Sequence, residues 1–347
     1  MNNEPGTRIG VVGCGYWGSK HVRVLHSVPS VDSVVMIDEM GDRLRALARS
    51  YPADLCFPSV AEALPHVDGL VIATPPTSHV DIALQAIDAG KNVLVEKPLA
   101  TTVSGAHRLI EASKAAGVIL MAGHTFEYNP AVWKLRDLVR SRELGQLYYL
   151  DSARLNLGLY QRDVNVIFDL APHDVSIINY VLGEHPLAVQ AWASHHAHPA
   201  FEDVAYLRLF YADETLSANI HVSWLDPSKV RRVIAVGSKK MAIYDDIAEE
   251  RIRVLDKGIS VPVEAASLTQ PPMSYRYGDI VAPFVAPDEP LMVQDQHFAE
   301  CVRTGATPLT NGKSGLAVVE VLAAAQASLR VGRPVLIEEV AGELTKA

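Results

Sequence analysis

Arg8-Ile9-Gly10-Val11-Val12-Gly13-Cys14-Gly15-Tyr16-Trp17-Gly18 is the stretch on which the fold turns. Its first half is a short apolar run of the kind buried on both faces of a parallel sheet. The second half spaces three glycines as G-x-G-x-x-G, and a helix is predicted to follow through Lys20 to His26. Each glycine has its own task in a dinucleotide fingerprint. Gly13 permits the tight turn, Gly15 lets the backbone approach a pyrophosphate, and Gly18 lets the helix pack close to its strand. The free N–H groups at the helix start favour phosphate anions. Many sequences contain this spacing by chance, but here it ends a strand and opens a helix, with Tyr16 and Trp17 inside the loop.

A second apolar run, residues 33–37, ends at Asp38, which stands 20 residues after Gly18. An acid at that place accepts hydrogen bonds from the adenosine ribose hydroxyls and repels a 2′-phosphate, which favours NAD over NADP. Glu39 strengthens the repulsion, whereas Arg43 and Arg45 could accommodate the phosphate. Further on, strands are predicted at 68–73 and 93–95, a helix at 80–89 ended by Gly90, a helix at 102–116, and a strand at 118–122. This alternation predicts an α/β, doubly wound parallel Rossmann sheet over residues 1–124. Thr74 and Pro75 follow a strand, so they are expected to wall the nicotinamide side, with His79 a contact at the next helix start. Glu96-Lys97-Pro98 follows the buried run Val93-Leu94-Val95 and therefore borders the ligand crevice.

The chain has 347 residues, of which 49% are hydrophobic, enough for two domains with substantial cores. Its formal charge of −9 disfavours nucleic acid or an anionic membrane as partner. No apolar run approaches the roughly 18 residues of a membrane span, and no secretory signal is read at the start. The expectation is a cytoplasmic protein. Cys14, Cys56 and Cys301 lie far apart and form no metal-ligand spacing.

From residue 125 the pattern changes. Asn129-Pro130 opens a helix predicted to run to about residue 142, with release at Gly145. Strands are then predicted at 148–157, 188–196, 204–211, 216–222, 230–236, 240–245 and 251–255. An irregular, proline-rich link spans 258–291, and helices at 293–303 and 313–331 precede a short strand at 335–337. Residues 125–347 are therefore expected to form an α+β domain with a large, mostly antiparallel sheet, the late helices packing back on the first domain. Within it, Asp169 and His173 are four apart, so on a helix they share a face. Pro172 is tolerated in a first turn, which would place both at the helix start, followed by a helical run over 175–182. A carboxylate there would fix the imidazole tautomer and stabilise its protonated form; Asp174 is given a supporting role. His195, His196 and His198, on a predicted strand, complete no ligand spacing, so no metal is expected. Trp192 and Trp224 read as sheet residues.

Taken together, the glycine loop, Glu96-Lys97-Pro98, the Asp169-to-His173 spacing and Asp295-Gln296-His297-Phe298 resemble the glucose–fructose oxidoreductase, inositol dehydrogenase and rhizopine-catabolism (Gfo/Idh/MocA) family across essentially the whole chain. The resemblance implies a C-terminal open-faced sheet used for subunit contacts, hence a homodimer or homotetramer. It implies a sugar, nucleotide-sugar or cyclitol substrate, and a catalytic lysine beside a cis proline. Carried over by position, Lys97, Asp169 and His173 are the catalytic candidates. Many members have a glycine-rich run before the aspartate and a glycine before the histidine, where this chain has Asn165-Val166-Ile167-Phe168 and Pro172. That departure bears on substrate identity more than on chemistry.

The expected chemistry is reversible oxidation of a secondary ring alcohol to a ketone. In it His173 is the base, Asp169 its orienting partner, Lys97 a donor to the substrate oxygen and Glu96 a ligand of the nicotinamide ribose. His124, Arg154, Asn156 and Asn165 are expected in the substrate wall. Three alternatives remain: a non-catalytic regulator that senses a dinucleotide, an NADP-linked reductase of a different carbonyl, and a hydrolase using NAD as a transient oxidant.

Overall fold

A computed structural model describes residues 6–51, 55–158, 160–161, 163–197, 199–260 and 273–341. The first half runs β1 (Thr7–Val12), α1 (Tyr16–Leu25), β2 (Val31–Ile37), α2 (Gly41–Ala48), β3 (Leu55–Phe57), α3 (Val60–Ala63), β4 (Gly69–Ile72), α4 (His79–Asp88), β5 (Asn92–Glu96), α5 (Val103–Ala116) and β6 (Leu120–Gly123). The six strands are parallel in the order β3-β2-β1-β4-β5-β6. The order reverses between β1 and β4, and ligands of such sheets bind in the crevice beyond the strand ends at that point. Apolar residues with no exposed surface, among them Val11, Leu70, Val71, Val93 and Leu94, make these strands two-sided core elements. Gly18 is obligatory: a Cβ there would lie 1.8 Å from the Gly13 carbonyl oxygen.

The second half comprises α6 (Pro130–Arg140), β7 (Leu147–Leu157), α7 (Val166–Leu182), β8 (Ala188–Ser194), β9 (Val204–Phe210), β10 (Ser217–Ser223), β11 (Leu225–Gly237), β12 (Met241–Asp245), β13 (Ile252–Ser260), β14 (Ser274–Val281), α8 (Pro290–Thr304), α9 (Gly312–Val331), β15 (Val335–Leu336) and α10 (Ile337–Ala341). Its strands form one sheet in the order β14-β13-β12-β11-β7-β10-β9-β8-β15. Every neighbouring pair is antiparallel except β7 with β10. Period-2 alternation divides its faces. Along β9, Ala205, Leu207 and Leu209 join a core with α6, α7 and α9, while Trp192 and Tyr206 stand on the open face, 58% and 47% exposed.

Helices α8 and α9 fold back. Phe298, with no exposed surface, fills the first half's core beside Ile9, Val11, Val71, Leu94 and Met121, and Leu291 and Ala299 pack on Val24 and Val28. By length and composition the 20-residue α9 resembles a membrane span, against the reading that no apolar run comes close to one. Its Val319 lies in the first core and its Val318, Val321 and Leu322 in the second.

Three expectations need correction. The proline-rich link contains β14, an edge strand with Tyr275 and Tyr277 exposed, so no in–out alternation marked it. Strand β8 stops at Ser194, and His195 and His196 lie beyond it because Asp203 accepts the His196 and Ala197 amides; His198 lies outside the described residues. Helix α7 begins at Val166, six residues before Pro172, because the Asn165 side chain accepts the Phe168 N–H and caps it there. Pro172 is thus interior, and the Phe168 carbonyl forgoes its helical donor. Among the described residues, no group of three or more His, Cys, Asp or Glu side chains has metal-binding geometry.

Because Phe298 closes the first core from the far end of the chain, Phe298→Ala should lower unfolding free energy by about 3–5 kcal/mol. Urea denaturation of the full chain measures this; a loss below about 1 kcal/mol would show that α8 is peripheral to that core.

Candidate active site

The glycine loop is shaped for a phosphate. Gly13 adopts φ +86°, and a Cβ on it would press within 2.9 Å of the Ala73 carbonyl, whereas a Cβ on Gly15 would meet nothing within 4 Å. No side chain caps α1, so its first N–H groups are open to an anion. Open space above Gly15 and an uncapped helix start fit a dinucleotide pyrophosphate. Asp38, at the end of β2, accepts the Cys14 and Met40 amides, each at 2.8 Å, with Arg43 Nη1 3.6 Å from its Oδ2. Each carboxylate oxygen has a second lone pair, which leaves acceptors for ribose hydroxyls. Tyr16 and Trp17 are exposed on the lip, edge to face at 5.6 Å, with Lys20 Nζ 4.6 Å from the Tyr16 ring centroid. Ser78 Oγ donates to Thr74 Oγ1 at 2.8 Å, and Pro75 is exposed beside it.

At the end of β5 the Lys97–Pro98 bond is cis. Lys97 crosses between the halves: its Nζ donates to the Asp169 carbonyl at 2.7 Å and to Asp169 Oδ1 at 3.1 Å. Trp224 Nε1 donates to the other carboxylate oxygen at 3.0 Å. Asp169 is therefore committed to Lys97 and Trp224 rather than to His173, contrary to the expected pairing. His173, one turn further along α7, is partly buried and meets the Phe126 ring edge to face at 5.1 Å, and its Nδ1 is buried without a partner. Burial, reinforced by the charges of Lys97, Arg154 and Arg231, holds its pKa well below the usual histidine value. With no carboxylate at Nδ1, nothing offsets that burial.

Several expected contacts are occupied otherwise. The ring nitrogens of His79 face the Pro98 and Thr74 carbonyls, each at 2.9 Å, so the side chain bridges two crevice loops instead of facing a cofactor. Arg154 is buried in an ion pair with Asp174 at 2.7 Å, and Ser152 donates to the same carboxylate, so Arg154 belongs to the core and not to a substrate wall. Asn165 caps α7 and donates to Glu202 and Gln326, both at 2.8 Å, which removes it from the wall as well. His124 has no exposed surface, and burial pushes its pKa down to about 4. Its two ring nitrogens are sealed without a hydrogen-bond partner, so it does not line the crevice. Asn156 is half-buried near the end of β7. Glu96, expected at the ribose, is gripped by His21 of α1 at 3.1 Å, and His21 in turn by Asp295 of α8 at 2.9 Å. Nothing in the sequence marks that contact, whose members lie as much as 274 residues apart.

The chain matches two family models in order. Residues 7–124 match the oxidoreductase family model with an NAD-binding Rossmann fold, and residues 132–243 match the Gfo/Idh/MocA C-terminal domain. It is 25% identical over 349 residues to the scyllo-inositol 2-dehydrogenase (NAD(+)) of Bacillus subtilis (strain 168), covering 96% of this chain and 97% of that protein. It is 31% identical over 185 residues to the UDP-N-acetylglucosamine 3-dehydrogenase of Acidithiobacillus ferrooxidans, covering 53% of this chain and 57% of that protein. Among solved structures, that of GenD2 from gentamicin A biosynthesis in complex with NAD superposes with a TM-score of 0.81 at 26% identity, covering 97% of each chain. With both halves matched in order and relatives aligned from end to end, this chain belongs to the Gfo/Idh/MocA family of oxidoreductases.

Proposed function

We propose that the protein is an NAD-dependent dehydrogenase that interconverts a secondary ring alcohol and a ketone on a sugar, nucleotide sugar or cyclitol. The observation that carries this reading is the ammonium of Lys97 fixed across the two halves on Asp169, which stands one helical turn from an uncharged His173. Ring alcohols are also what the inositol and nucleotide-sugar dehydrogenases among its relatives are named for.

The nicotinamide supplies the hydride acceptor when bound; the rest falls to the protein. Lys97 uses two N–H groups on Asp169 and keeps a third for the substrate oxygen, where it stabilises developing alkoxide charge. The hydroxyl proton goes to His173, whose Nε2 is the nitrogen available to a substrate. Its low pKa keeps this base unprotonated through neutral pH and makes it release the proton readily. Asp169 acts on Lys97, holding the ammonium in place, rather than on the imidazole.

His173→Ala should lower turnover by about 10²- to 10⁴-fold while NAD affinity is kept, as measured by NADH absorbance against a panel of polyols and nucleotide sugars. Because burial lowers the His173 pKa, the base form persists below the usual value. The acidic limb of kcat/KM in the wild type should therefore lie below about pH 6.5. Unchanged turnover in the variant, or a limb above that pH, would reject His173 as the base.

The Asp38 carboxylate supports NAD, while Arg43 beside it offers a way to hold a 2′-phosphate. Asp38→Ala should weaken NAD and narrow the gap to NADP by at least about tenfold, since it removes hydroxyl acceptors and a repulsive charge together. Calorimetric titration with both cofactors reads this out, and a wild type that prefers NADP would refute the NAD assignment.

The open sheet face, with Trp192 and Tyr206 exposed, supports a homodimer or homotetramer assembled through it. Trp192→Asp should shift light-scattering mass toward the monomer. A monomeric wild type at micromolar concentration would end this reading.

A further inference from the structure

Apart from the Lys97–Asp169 bond, the crevice floor holds a second buried ionic group with no part in the proposed proton and hydride steps. His21 of α1 has no exposed surface. Its Nδ1 lies 3.0 and 2.9 Å from the two carboxylate oxygens of Asp295, and its Nε2 lies 3.1 Å from Glu96 Oε1. A neutral imidazole has one N–H and would press a lone pair against one of those carboxylates unless that carboxyl carried the proton, so two ionised carboxylates call for the doubly protonated ring. Burial opposes the cation, but Asp295 and Glu96 outweigh it and raise its pKa to about 10. Burial likewise opposes ionisation of Glu96, which His21 and then Lys97 overcome, holding that carboxyl below its usual range. Burial raises Asp295, with Glu96 adding to the rise. Lys97, His79, His124 and Arg23 are the other charged or titratable groups acting on the cluster.

Glu96 is held on all sides. Its Oε2 accepts the Lys97 amide at 3.2 Å. From β6, a Cβ on Gly123 would lie 2.9 Å from Glu96 Cα and 3.0 Å from Oε1, so the carboxylate occupies space that any larger residue would take. We propose that His21 is a positioning residue: braced by Asp295 of α8, it fixes the Glu96 carboxylate and with it the Lys97 end of the crevice floor on which dinucleotide binding depends. Removing the imidazolium leaves a buried carboxylate without its cation, which then takes up a proton near neutrality and loses its fixed orientation.

This inference rests on the dinucleotide site of the proposed function but not on the substrate, so it is tested by NAD⁺ titration of the full chain between about pH 5.5 and 9.5. Wild-type affinity should be nearly flat from pH 6 to 9. His21→Gln should bind about tenfold more weakly at pH 6 and recover as pH rises and Glu96 ionises, because each pH unit below a pKa costs about tenfold. Asp295→Asn should move the loss to the alkaline side, since His21 then gives up its second proton below about pH 10. Weakening that is uniform with pH, or no weakening, overturns the proposal. Should His21→Gln fail to fold, the ¹⁵N shifts of the His21 ring in the wild type decide. A doubly protonated ring at pH 9 supports the assignment, and a neutral ring at pH 7 overturns it. A chain that oxidises no polyol would refute the ring-alcohol reading and leave these binding curves standing.

Discussion

A buried ammonium must find acceptors or the fold that buries it is penalised, and Lys97 finds both of its own on the opposite half of the molecule. The carbonyl and carboxylate of Asp169 draw the end of β5 and the first turn of α7 to a fixed separation. Trp224 pins the second carboxylate oxygen, so Asp169 cannot turn toward His173. Burial keeps His173 uncharged, and that commitment leaves no carboxylate to offset it. A carboxylate spent on lysine and tryptophan cannot support an imidazolium, and the lysine it holds repels one.

The opposite side of α7 is tied down with equal care. Asp174 is buried and takes Arg154 and Ser152 from β7, a buried pair in which each charge is met. The same guanidinium lies 4.6 Å from the Phe126 ring centroid, and that ring packs its edge against His173. A residue read as part of a substrate wall thus acts one layer further in, anchoring the helix that presents the base. Breaking only one partner of such a pair leaves the other charged in a dry place.

The sequence made the first half legible because its signals are local. Buried apolar runs, three glycines and a C′ glycine each depend on a few neighbouring residues, and all six parallel strands but the short, largely exposed β3 could be anticipated that way. Lys97, Asp169 and His173 stood out for the same reason, through a tripeptide and a four-residue spacing. What was hidden depends on contacts across the chain. Nothing near His21 announces Asp295, nor does anything near Trp224 announce Asp169. Pro172 misled in the other direction: a local rule placed it at a helix start, while the Asn165 cap and the apolar run Val166–Ile167, buried in the second core, set the start earlier. Asn165 and His79 were polar and close to motifs, yet their hydrogen bonds were already taken by a helix cap and by two backbone carbonyls.

Helix α8 puts Phe298, Leu291 and Ala299 into the core of the first half, more than 150 residues downstream of its last strand. At about 5–20 residues per second on the ribosome, that strand is complete roughly ten to thirty seconds before its covering helix is made. During that interval the nascent nucleotide-binding half has an uncovered greasy flank and His21 has no Asp295 to meet. The order of synthesis therefore opposes early closure of this half, and the growing polypeptide becomes a natural client for chaperones that shield apolar surface.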